Sequence, residues 1–147
     1  MRRVALFLTS LVVMVVVAAG VTLAVVQIGT NGGDTLTGSS SADNITGGAR
    51  GDTLNGKGGP DRLYGDAGRD DINGGPGEDF VDSGDGPNVV HGGPGDDWLS
   101  VVDRSADDFV DGGDGTDTWV IEELPGGLED EPANCEHILR VIPSPFE

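Results

Sequence analysis

Acidic side chains recur at intervals of nine residues through the middle of the 147-residue chain. Eight copies keep this interval from Asp34 to Asp97, and two more follow after a two-residue insertion. Carboxylates are hard oxygen ligands, and Ca²⁺ takes about 6–8 oxygens in flexible geometry. Zinc favours His or Cys, which the turns lack apart from His91, predicted to face outward. The candidate metal ligands are Asp34, Asp43, Asp52, Asp61, Asp70, Asp79, Asn88, Asp97, Asp108 and Asp117.

Each of these residues is the sixth of a glycine-rich phrase of nine. The clearest copies begin at Gly74 and Gly92 and follow the template Gly-Gly-x-Gly-x-Asp-x-apolar-x. Glycines at positions one, two and four permit positive φ angles and close approach of the backbone. Carbonyl groups of such a turn can point inward with the carboxylate, which makes them further candidate ligands. They belong to Gly56, Gly59, Gly65, Gly68, Gly74, Gly75, Gly77, Gly92, Gly93, Gly95, Gly112, Gly113 and Gly115.

The last three residues of each phrase predict a short β-strand. The eighth residue is always apolar or aromatic, from Leu36 in the first copy to Trp119 in the last. In a strand, its side chain points inward while the seventh and ninth point outward. Because the spacing holds over eight copies without a slip, it argues against a disordered low-complexity segment.

These repeats resemble the repeats-in-toxin (RTX, haemolysin-type) calcium-binding family over about 92 residues, 29–120. The resemblance implies an all-β fold, a right-handed parallel β-roll with two nonapeptides per turn and ions held between turns along both edges. Acids two copies apart would then share an ion, giving up to about eight Ca²⁺ sites. The first row would contain Asp34, Asp52, Asp70, Asn88 and Asp108, and the second row Asp43, Asp61, Asp79, Asp97 and Asp117.

Some copies depart from the template. Asn88 lacks the charge of a carboxylate, so we expect weaker binding at the two sites that it would serve. Ser41 and Arg50 replace the glycine at position four, which makes those two turns less regular. Val101 and Val102 are inserted before the ninth copy, and a bulged or broken turn is predicted over 101–106.

Residues 1–28 form a separate segment with a basic start and an uncharged apolar run from Val4 to Val26. As a helix, this run is long enough to cross a bilayer core of about 30 Å. It is either a secretory signal peptide, cleaved after small residues, or a retained membrane anchor. Both alternatives place the repeats outside the cytoplasm, so a secreted or cell-surface protein is expected.

The net negative charge of the chain bears both on the partners it could bind and on how it folds. The chain has 26 acidic and 8 basic residues, a formal charge of −18, which argues against binding nucleic acid. Residues 29–120 contain 19 acidic and 5 basic residues, a net charge of −14, which eight Ca²⁺ ions would nearly cancel. With a core of one apolar row and no possible intrachain disulfide, the roll is expected to fold only with Ca²⁺.

Two functions remain open at this stage. In the first, the roll is a structural or binding module outside the cell. In the second, outward aromatic residues at position seven, Phe80, Trp98 and Phe109, contact a membrane or a partner surface, unless the C-terminal cap at 121–147 covers one face. No catalytic motif is found, so no enzymatic activity, catalytic residue or cofactor other than calcium is predicted, and the protein partner is unknown.

Overall fold

The computed structural model describes residues 23–102, 108–122, 132–133, 135 and 137–141. These residues form thirteen β-strands and no helix. Every strand pairing in the two sheets is parallel. The fold is therefore an all-β parallel solenoid of about five turns, as the repeats predict.

Alternate strands of the chain belong to opposite sheets. The seven-stranded sheet contains, in spatial order, β1 (Val26–Ile28), β3 (Asn44–Ala49), β5 (Arg62–Ala67), β7 (Phe80–Asp82), β9 (Trp98–Val101), β11 (Thr118–Glu122) and β13 (His137–Val141). The six-stranded sheet contains β2 (Thr35–Thr37), β4 (Thr53–Asn55), β6 (Asp71–Asn73), β8 (Val89–Pro94), β10 (Phe109–Asp114) and β12 (Pro132–Ala133). Each strand pairs with the strand two places later, so two nonapeptides make one turn.

The core is the row of eighth-position side chains. Members two copies apart are partners in neighbouring strands, as Leu63 pairs in register with Val81. Each turn of the solenoid therefore stacks its apolar side chains on those of the turn before. All members are buried, with at most 2% exposed: Leu36, Ile45, Leu54, Leu63, Ile72, Val81, Val90, Leu99, Val110 and Trp119.

The insertion before the ninth copy extends the core. Val101 was predicted to lie in a bulged or broken turn, but it is the last residue of β9 and pairs with Ile121 of β11. Both are buried, 2% and 3% exposed, because each lies two residues after a core position and points to the same side of its strand. The prediction is wrong for Val101, and residues 103–106 of that turn lie outside the described residues.

The solenoid extends beyond the predicted repeats at both ends. Strand β1 begins at Val26, before the expected first copy at Gly29, and pairs with β3 in the parallel sense. At the other end, β12 and β13 each add a strand to one sheet. The described part of the C-terminal segment therefore continues the stack at its end and leaves Trp98 and Phe109 exposed, 42% and 48%.

The predicted export segment, residues 1–28, lies outside the described residues except for residues 23–28. Within the described part of the chain, no helix has the length and apolar character needed to span a membrane.

Candidate metal sites

The sixth-position residues line the two edges of the solenoid, where each strand begins. In the first row, the backbone N–H of Asp34 donates to Oδ1 of Asp52 at 2.7 Å, and the same bond links Asp52 to Asp70 at 2.8 Å. In the second row, the N–H of Asp61 donates to Oδ1 of Asp79 at 2.8 Å. Each carboxylate is thus fixed to the turn before it by one of its oxygens.

Both rows continue across the insertion. The N–H of Asn88 donates to Oδ1 of Asp108 at 2.7 Å, and that of Asp97 donates to Oδ1 of Asp117 at 2.9 Å, although each pair is 20 residues apart. Strand β9 includes Val101, the first of the two extra residues, and the turns that follow return to register. Asp108 therefore takes its place in the first row despite the poor match of the ninth copy to the template.

The second carboxylate oxygen is the unusual feature of these rows. Nine of the ten sixth-position residues are at most 7% exposed, while Asp34 is partly exposed. In Asp52, Asp61, Asp70, Asp79 and Asp97, the Oδ2 atom is buried and has no hydrogen-bond partner. A buried carboxylate oxygen without a donor is strongly unfavourable. A cation at these positions would remove that cost.

Backbone carbonyl groups converge on the same oxygens. If a Cβ atom were present on Gly74, it would lie 2.5 Å from Oδ2 of Asp79 and 2.7 Å from the carbonyl oxygen of Gly92. The equivalent atom on Gly47 would lie 2.7 Å from Oδ2 of Asp52 and 2.8 Å from the carbonyl oxygen of Gly65. A side chain at position one would therefore fill the space between a carboxylate and the carbonyl of the next turn.

The predicted glycine carbonyls fall into two groups. Those at position one lie beside a carboxylate of the preceding turn: Gly56, Gly65, Gly74, Gly92 and Gly112. The others, at positions two and four, include pairs that stack on the equivalent glycine of the next turn, as Gly75 does on Gly93 and Gly77 on Gly95. The structure brings the first group closest to Oδ2, and ligation of a metal ion by either group stays a prediction.

Sequence reasoning missed two members of the first group, Gly47, whose carbonyl lies beside Oδ2 of Asp34, and Ser83. The carbonyl of Ser83 lies beside Oδ2 of Asp70, against Gly65, in the place that a glycine carbonyl takes in the other turns. A backbone carbonyl is available from any residue type, so the spacing of nine was the signal that could have found both.

Burial and repulsion between neighbouring carboxylates raise the pKa of several aspartates in the two rows. Burial raises the pKa of Asp61, Asp70 and Asp79 to about 6 and that of Asp97 to about 7, while the backbone N–H donated to each Oδ1 acts in the opposite direction. Repulsion by neighbouring carboxylates of the same row contributes to these raised pKa values for Asp61, Asp70 and Asp97. The pKa of Asp52 is raised for the same reasons. Negative charge along the rows is therefore held at a cost that a divalent cation would offset.

The turn of Asn88 is closed differently. Its Oδ1 accepts the N–H of Asp70 at 2.9 Å, as a carboxylate does, but its Nδ2 donates to the carbonyl oxygen of Gly84 at 3.2 Å. An amide hydrogen thus occupies the side of the group at which an aspartate presents Oδ2. The loss of one charge and the presence of a donor both disfavour a cation there.

No group of three or more His, Cys, Asp or Glu side chains that could hold a metal ion occurs in the described part of the chain. Coordination along the rows thus requires backbone carbonyls in addition to carboxylates. An all-oxygen set of one or two carboxylates with several carbonyls suits Ca²⁺ and does not suit zinc.

Comparison with protein families agrees with this chemistry. A family model described as the RTX calcium-binding nonapeptide repeat matches four times, at residues 28–49, 46–81, 75–101 and 102–118. The chain belongs to the RTX calcium-binding repeat family. RTX repeats bind Ca²⁺ in general, and the donor set of this RTX solenoid fits that ion. No curated protein and no solved structure matches the chain.

Proposed function

We propose that this RTX chain is an exported β-roll whose folding is coupled to Ca²⁺ binding and which acts as a structural or binding module outside the cell. The observation that carries the proposal is the row of buried Oδ2 atoms without donors, each beside a carbonyl of the next turn. The sixth-position residues supply the carboxylates and the position-one carbonyls supply the other protein ligands. We propose no catalytic activity, in keeping with the structural role typical of the family.

Coupling to folding follows from where the ligands lie. A carboxylate and the carbonyl beside it come from different turns of the solenoid, as Asp79 and Gly92 do, so the unfolded chain has no preformed site. Without a cation, folding must bury several carboxylates of like charge along each edge. Binding and folding are then a single equilibrium, with ions between successive turns and at most about eight of them.

The direct test is far-UV circular dichroism of the full chain in detergent micelles, titrated from chelator to millimolar Ca²⁺. We expect a strand spectrum to appear with Ca²⁺ and a weaker response to Mg²⁺, which demands tighter octahedral geometry. A spectrum that is the same in chelator and in calcium would refute the coupling.

Neighbouring acids provide a matched pair of variants. Asp97 is buried in the second row, whereas Asp96 is exposed, and replacing either with Asn changes the net charge equally. We expect Asp97→Asn to raise the calcium concentration needed for folding, and Asp96→Asn to have little effect. Equal shifts would show that general charge, rather than ligation by the row, controls the response.

Export is supported by the basic start and the apolar run of residues 4–26. Weak calcium sites, with dissociation constants of about 10⁻⁴–10⁻³ M, are common in extracellular modules, so such a chain would remain unfolded until it leaves the cell. Mass spectrometry of the protein recovered from medium and from membranes tests whether the N-terminal segment is cleaved as a signal peptide or retained as a membrane anchor. Recovery of the intact chain from the cytosol alone would contradict export.

The alternative function, adhesion or membrane binding through aromatic residues, finds less support. Phe80 and Trp98 are neighbours in the seven-stranded sheet, but Phe80 is half-buried and its ring lies 5.9 Å from that of Tyr64. Phe109 belongs to the opposite sheet. The exposed rings therefore do not form one patch. Calcium-dependent co-sedimentation with liposomes, abolished by Trp98→Ala, would favour the alternative.

A further inference from the structure

The first two described turns of the roll have a different backbone from those that follow. At position two, seven later turns have a residue in the left-handed region, with φ between 68° and 115°: Gly48, Lys57, Asp66, Gly75, Gly84, Gly93 and Gly113. The first two turns have Thr30 and Ser39 at this position, and neither has a positive φ. The backbone conformation at position two therefore differs between the two groups.

In the first turn, Thr30 satisfies the carboxylate of Asp34. Its backbone N–H donates to Oδ2 at 2.6 Å, and its hydroxyl donates to the same oxygen at 2.8 Å. The hydroxyl oxygen also accepts the N–H of Gly32 at 3.1 Å. One threonine thus closes the turn and donates two hydrogen bonds to Oδ2, the oxygen that has no donor in the later turns.

The second turn repeats this arrangement with serine. The N–H of Ser39 donates to Oδ2 of Asp43 at 2.5 Å, and the hydroxyl can donate its one proton to Oδ1, at 3.0 Å, or to the carbonyl oxygen of Leu23, at 3.1 Å. The hydroxyl accepts the N–H of Ser41 at 3.1 Å. Such bonds from Ser and Thr to nearby backbone are an established way to close a turn. Two independent copies of one arrangement, at adjacent turns on opposite edges, point to a shared role.

The next member of each row shows the contrast. Oδ2 of Asp52 and Oδ2 of Asp61 are buried and have no donor. The change occurs between the first and second members of each row and coincides with the change of φ at position two. What differs between the two pairs of turns is therefore whether the protein itself supplies donors to the carboxylate.

We propose that Thr30 and Ser39 take the place of the cation in the first coil of the roll, which consists of the first two nonapeptides. This coil is then a calcium-independent cap, and the calcium sites begin at Asp52 and Asp61. Repeat proteins need atypical terminal repeats to close the ends of the stack. A cap that is closed by its own side chains gives the second coil an ordered edge on which to form when calcium binds. This inference rests on the proposed function and reduces the number of ions that it allows.

The test counts ions bound to the full chain in detergent micelles by equilibrium dialysis with radioactive calcium. Asp43→Asn and Asp61→Asn form a matched pair in the second row, since Oδ1 of each accepts a backbone N–H, from Val25 and Asp43 respectively. We expect Asp61→Asn to lose about one ion and Asp43→Asn to lose none. Loss of an ion by both variants overturns the proposal.

A second pair of variants changes Ser39 and leaves Asp43 in place, so it avoids any loss of folding that Asp43→Asn causes by itself. Ser39→Gly removes the hydroxyl and allows the positive φ of the later turns, so we expect it to gain about one ion. Ser39→Thr retains the hydroxyl and reproduces the residue type of Thr30 in the first turn, so its ion number should not rise. An unchanged number in Ser39→Gly overturns the proposal. A native chain that binds no calcium would instead refute the proposed function.

Discussion

Replacing Gly74 with alanine would test whether the space between the turns holds an ion. The added Cβ would lie 2.5 Å from Oδ2 of Asp79 and 2.7 Å from the carbonyl oxygen of Gly92. Ordinary contact of a Cβ begins at 3.4 Å, so both oxygens would have to move by about 0.7–0.9 Å. The φ angle of Gly74 is not positive, and alanine is therefore not strained by the backbone itself.

The effect has two parts that calcium separates. Overpacking costs about 1–3 kcal/mol whatever the calcium concentration. Loss of one ion that is bound only by the folded state instead changes how strongly stability depends on calcium. For each ion taken up on folding, a tenfold rise in calcium above the dissociation constant adds about 1.4 kcal/mol. We therefore expect Gly74→Ala to lower this slope by about 1.4 kcal/mol per tenfold change.

The assay is urea unfolding at a series of calcium concentrations in which the roll is folded. The fluorescence of Trp119 reports the transition, since this side chain is 1% exposed in the folded state. Gly58→Ala is the control, because a Cβ there meets only the carbonyl oxygen of Pro76, at 3.5 Å. A loss of stability in Gly74→Ala with the slope of the native chain would refute an ion at this position.

Three further predictions concern the pH dependence of folding, the uncharged Asn88 of the first row and the apolar core. Burial raises the pKa of Asp97 to about 7, so protonated carboxyls stabilise the ion-free roll fully below about pH 4, and that stability is lost as the pH rises through 6–7. Calcium binds these carboxylates in place of protons, and the unfolded chain is already ionised above about pH 5, so the calcium concentration for half-folding should increase as the pH rises from about 5.5 to 8; a midpoint that decreases over this range, measured by circular dichroism, would contradict this. Asn88→Asp replaces the donor to the Gly84 carbonyl with a carboxylate oxygen, so dialysis should count about one more ion, and an unchanged count would argue that the turn cannot hold one. Leu63→Ala removes a fully buried core side chain and should cost about 2–5 kcal/mol in urea unfolding, against less than about 1 kcal/mol for the exposed Thr53→Ala; similar losses would contradict the assignment of the core.

Much of the architecture could be predicted because the repeat fixes it at every copy. An apolar residue every nine positions predicts one inward side chain per strand, and all ten predicted core residues are buried. The spacing of 18 between neighbours in a row, as between Asp43 and Asp61, was implied by the resemblance to RTX repeats, in which two nonapeptides make one turn. The insertion at Val101 was the exception, because periodicity does not reveal that Ile121, in the next turn, offers the extra residue a partner in the core.

The sequence alone determined the strands, the core row and the two edges of acids, since each depends only on which residue occupies which of nine positions. Tertiary structure decided which acids have donors. That depends on the backbone dihedral angle at position two, and on carbonyl groups that reach the carboxylate from the next turn of the solenoid. For this reason Asp34 and Asp43 look equivalent to Asp61 and Asp79 in the sequence, although Thr30 and Ser39 satisfy the first pair and nothing in the described chain donates to Oδ2 of the second.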